Sequence, residues 1–185
     1  MLVSLIVAAL TFVYALFFVT GSLGYATKYG DFSIGAEKLV ETSQNFVDAL
    51  VTICIVFILL AAVLFITSCN SRRNYYITNY IAIGLFVAFA LFVTIFVIVN
   101  VSIIMNMFLN DIKWDIVPEQ AAKLMNKYPI SKDDTYTFVL GYVVAAIVLI
   151  DAVLLVLNTV WKVLLMKGEK QLLNGTANVQ TEEVA

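Results

Sequence analysis

The sequence predicts an all-α integral membrane protein: a bundle of four transmembrane helices with both termini cytoplasmic and a short helix in the second outer loop. Two observations carry this. Of the 185 residues 24 are charged, and all but one of those lie outside four windows, 1–27, 49–71, 74–110 and 135–161. The windows hold 27, 23, 37 and 27 residues, and each exceeds the about 20 apolar residues that cross a hydrocarbon core about 30 Å thick. The chain is also 62% hydrophobic, above the roughly 45–50% of soluble domains.

The first predicted span covers about 2–22. A cleaved signal peptide is the competing reading of this segment, but no Lys or Arg precedes its apolar run and Gly21 to Ala26 is a weak cleavage pattern, so a retained helix is expected. The second span covers about 45–68 and ends before Arg72 and Arg73. The third window is long enough for about 55 Å of helix, more than a bilayer needs. Tyr75, Tyr76 and Tyr80 beside the Arg pair resemble an interfacial aromatic belt, which places the buried part at about 80–104. The fourth span, about 136–161, has Tyr136 at one end and Trp161 followed by Lys162 at the other.

Orientation follows from the basic residues of the short loops. Arg72 and Arg73 stand between spans two and three with no acid beside them, and Lys162, Lys167 and Lys170 follow span four. These segments share a side, predicted cytoplasmic, with Arg72, Arg73, Lys162 and Lys167 as topology anchors. The single membrane domain is thus 1–165. The outer loop 106–135 holds a helix started by Pro118 and stopped near Pro129, and 166–185 is a cytoplasmic tail, partly disordered. The expected location is the plasma membrane, crossed several times.

Several function classes drop out. A net charge of −2 without a basic face argues against nucleic acid. The absence of histidine removes the usual zinc and haem ligand sets and Ser-His-Asp catalysis. There is no Gly-rich phosphate loop, so no enzymatic activity, cofactor or metal is expected. Cys54 and Cys69 are 15 residues apart, about 22 Å along one helix and too far to bridge. The outer loops contain no Cys that could staple an extracellular fold.

Helices in lipid associate through close packing and interhelical hydrogen bonds. Small pairs at four-residue spacing, Gly84 with Ala88 and Gly141 with Ala145, are candidate packing sites, each for a different neighbour. Tyr14-Ala15-Leu16-Phe17 resembles Phe89-Ala90-Leu91-Phe92, which is compatible with a duplicated hairpin.

Asp151 is the one charge inside a span, 13 residues after Phe138 and 10 before Trp161, and so expected near the midplane. A charge there costs about 2.5–3.5 kcal/mol on insertion scales, enough to require a reason. At 100° per residue Asn158 and Lys162 fall about 20° to either side of Asp151, forming a stripe toward the cytoplasm. Matching depths brings Thr94, and Thr11 or Tyr14, to its level. Asp151, Asn158, Thr94 and Tyr14 are therefore read either as an interhelical polar contact or as a proton or cation site. Two functions follow. One is a non-catalytic protein acting in the lipid bilayer by lateral assembly, as an accessory subunit with a membrane-protein partner or as a homo-oligomer. The other is a small proton- or cation-coupled transporter or channel using Asp151.

Overall fold

The computed structural model describes residues 1–18, 36–69, 76–117 and 131–182. Its four helices are α1 (Leu2–Phe18), α2 (Glu37–Cys69), α3 (Tyr76–Asn110) and α4 (Tyr136–Glu182). The last three are each long and apolar enough to cross a membrane. The described part of α1 is 17 residues, about 25 Å, and the end of the predicted first span lies outside the described residues. So do Arg72, Arg73 and the loop helix expected after Pro118.

Each helix packs on its sequence neighbours, and α1 packs on α4, closing the ring. Partners across the α1–α4 seam run in opposite senses, Ser4 with Asp151 and Tyr14 with Thr137. The bundle is therefore up-down-up-down, and the start of α1 faces the end that carries Lys162.

The seams show why these segments bundle. The buried residues of α2 are Leu39, Ser43, Phe46, Val47, Leu50, Cys54, Phe57, Ala61 and Leu64, a run of three- and four-residue steps. In α3 the run is Phe86, Ala90, Val93, Val97, Val101, Ile104 and Phe108. Such spacing keeps one stripe of a helix against its neighbours. Polarity does not mark the stripe, because Leu85, Ile95, Leu59 and Ile66 on the outward faces are as apolar as the interior. In α1 and α4 small and polar residues help to mark it: Ser4, Ala8, Thr11 and Ala15 in α1, and Ala145, Asp151 and Ala152 in α4 are all buried. Lipid offers apolar side chains as much as the interior does, so close approach decides which face turns inward.

Aromatic rings fill the two levels of the core. At the Phe18 end, Phe18 meets Phe46 at 5.1 Å and Phe138 at 6.2 Å, and Phe138 meets Phe108 at 5.3 Å. One cluster thus joins all four helices. Nearer the other end Phe57 stacks on Phe86 at 5.0 Å, and Thr67 Oγ1 donates to Asn79 Oδ1 at 3.4 Å, tying α2 to α3.

Two boundaries differ from the expectation. α2 begins at Glu37, ahead of the predicted 45, since Glu37 suits the positive helix start and Leu39 and Ser43 continue the buried stripe. α4 continues to Glu182 through a segment expected to be partly disordered. No proline interrupts it, and the glycines at 168 and 175 cost only about 1 kcal/mol each relative to alanine.

Candidate functional site

Asp151 lies on the inward stripe of α4 with Val148, Ala152 and Leu155, all buried, and is itself 7% exposed. Ser4 Oγ, in the first turn of α1, donates to its Oδ1 at 3.3 Å. Its Oδ2 is buried and has no hydrogen-bond partner among the described residues. This is the polar contact that α1 makes with the lone intramembrane charge.

The register differs from the expected one. Tyr14 stands ten residues beyond Ser4, about 15 Å along α1, and its hydroxyl donates to the Thr137 carbonyl at 3.4 Å. Tyr14 therefore belongs to a second α1–α4 contact, away from Asp151. Thr11 donates to the Val7 carbonyl at 2.9 Å and Thr94 to the Ala90 carbonyl at 2.8 Å. Both hydroxyls are buried and satisfied by their own helices, as Ser and Thr in apolar helices commonly are. Depth matching placed the first span by its length; the register is set by the start of α1, whose first turn already lies level with Asp151. Ser4 was missed for this reason. Its signal is heptad spacing: it lies seven residues before Thr11 on one helix face.

Asn158 keeps its place on the Asp151 stripe, about 10 Å further along α4, and is exposed, as are Lys162 and Lys167. The four residues grouped by sequence thus separate into a buried carboxyl with a serine, an exposed amide and two self-satisfied or differently bonded hydroxyls.

The small pairs also separate. Gly141 sits where α1, α3 and α4 meet. A Cβ there would collide with the Tyr14 hydroxyl and stand 3.1 Å from Val101 Cγ2, and Ala145 on the next turn is buried. Gly84 is open, with nothing within 4 Å of where its side chain would begin, and Ala88 is exposed on the same face. One pair seats helices of this chain, and the other looks out of the bundle.

Chemically, Asp151 and Ser4 can hold α1 against α4 through a hydrogen bond, and the free oxygen can take a cationic species. Comparisons of the chain with protein families, curated proteins and solved structures find no match.

Proposed function

We propose that this protein is a non-catalytic membrane protein that acts by lateral assembly, as an accessory subunit or as a homo-oligomer. The observation that carries this reading is the filled interior. Leu50, Cys54, Phe57, Phe86, Val93, Val97 and Val101 are all at most 1% exposed, so the described bundle presents its chemistry on its outward faces. The open Gly84 and Ala88 track supports it further, since residues this small let another helix approach closely. The test is purification of the full chain in mild detergent followed by native mass spectrometry. The expected result is a defined oligomer or a stoichiometric second membrane protein. A monomer at every protein and detergent concentration overturns the reading.

One observation favours a second reading, transport of a proton or cation. It is the buried Asp151 Oδ2 without a partner among the described residues, since ionisable side chains within membrane spans commonly mark proton relays and ion pathways. Flux into liposomes that is lost in Asp151→Asn supports this reading, and equal flux in the variant removes it.

A further inference from the structure

Among the described residues Asp151 Oδ2 is buried with no hydrogen-bond partner, and a carboxylate left so away from water is an uncompensated anion. Something positive must meet Asp151 Oδ2, and three kinds of species present themselves. A metal ion is the first. Calcium takes 6–8 oxygens and magnesium demands an octahedron, about six. The side-chain oxygens assembled here are the two of Asp151 and the one of Ser4, while Thr11 and Thr94 are turned to their own backbones. Among the described residues no group of three metal-ligating side chains forms. The second species is a basic side chain from a partner. It would have to pass between α1 and α4, where Val7, Ala8, Val148 and Ala152 are packed. The third is a proton, which needs one oxygen and no further ligand.

We propose that Asp151 is an intramembrane proton-binding site, with the proton carried on Oδ2, Oδ1 held by Ser4, and exchange with the solution at the Lys162 end of the bundle. Asn158 lies exposed on the same stripe in that direction. Uptake joins one proton to the carboxylate and release returns it to water, so nothing else is consumed. The groups around the site are few. On α4 Tyr142 lies nine residues before Asp151 and Lys162 eleven after it; on α1 there is Tyr14. Cys54 is the titratable residue of α2 within its apolar stretch, and α3 carries no charged residue. The inference is independent of transport, because a site can take up and release a proton without passing it across the bundle.

The test uses the full chain in lipid vesicles. Infrared difference spectra, with aspartate carboxyls labelled with carbon-13, read the protonated carbonyl stretch. Dicyclohexylcarbodiimide then labels protonated carboxyls in apolar surroundings: the acid O–H adds across a C=N bond and rearranges to a stable acylurea. Peptide mass spectrometry locates the adduct. The expected result is an isotope-shifted carboxylic acid band at neutral pH that disappears as pH rises. Labelling at Asp151 should fall about tenfold per pH unit above the midpoint. Ser4→Ala should shift the band, because Oδ1 loses its hydrogen bond. Isotope labelling of the unaltered chain keeps the test valid even where Asp151→Asn fails to fold. Absence of the band at every pH means a carboxylate paired with a cation, and overturns the proposal. A band and labelling that do not change with pH mean a fixed structural acid, and overturn it equally.

Discussion

At the scale of single residues, the α1–α4 seam rests on two contacts of opposite character. One is steric. Gly141 leaves room for the Tyr14 ring, and a methyl group there would meet the hydroxyl and crowd Val101. Gly141→Ala is expected to cost about 1–3 kcal/mol, the range for overpacking a close-packed site. Tyr14→Phe should return part of that cost, because it removes the colliding oxygen, although alone it loses the bond to Thr137. Thermal unfolding of the two single variants and the double variant in detergent measures the coupling, and strict additivity would contradict the proposed collision. The second contact is polar. Ser4 donates to Asp151 at 3.3 Å, a long bond. Ser4→Ala should therefore cost no more than the about 0.6 kcal/mol average for interhelical hydrogen bonds in membranes. The same unfolding assay reads it, and a loss of several kcal/mol would mean that Ser4 does more than donate one weak bond.

At the scale of helices, the spacing of residues along each helix distinguishes inside from outside, since large apolar side chains stand on both faces, and this decides how far the sequence could be read. The long charge-poor windows made helices α2, α3 and α4 legible, because a charge in lipid is expensive and each window is long enough to span. Asp151 was legible for the same reason. The inward faces were harder to assign, since Leu59 and Ile66 point out while Phe57 and Leu64 point in; all are apolar, and only spacing separates them. Ser4 was illegible as the partner of Asp151, because the α1–α4 register depends on how deep α1 starts, which composition does not set. The two small pairs looked alike in sequence, yet Gly141 is enclosed and Gly84 open. They should therefore respond differently to bulk. Gly84→Leu and Ala88→Leu are expected to leave the stability of the monomeric bundle within about 0.5 kcal/mol, as surface substitutions usually do. If lateral assembly uses this face, the same variants should weaken the oligomer seen by native mass spectrometry. Unchanged assembly would place the contact on another face.

At the scale of the whole molecule, α1 is held at two levels, by Phe18 within the aromatic cluster and by Ser4 on Asp151. The levels contribute differently. Moving a phenyl ring from lipid into the core gains little transfer energy, since both are apolar, so Phe18→Ala loses mainly its cavity term. At about 24 cal/mol per Å³ and roughly 100 Å³ for the lost ring, that is about 2 kcal/mol, several times the Ser4 bond. The packing end therefore supplies the stability, and the carboxyl at the other end fixes which helix faces which. Two substitutions at Asp151 separate this orienting role from proton exchange. Asp151→Asn keeps the shape and an oxygen for the Ser4 hydroxyl, so bundle and assembly should survive it. Asp151→Leu removes the acceptor and leaves the buried Ser4 hydroxyl to find another, so α1 should dock less firmly, read as faster proteolysis near the start of α1 and loss of oligomer. If Asn preserves assembly but abolishes pH-dependent proton uptake, the carboxyl serves exchange in addition to orientation. If Asn and Leu disrupt assembly alike, the negative charge itself holds the bundle, and the neutral hydrogen-bonded contact is the wrong description of the site.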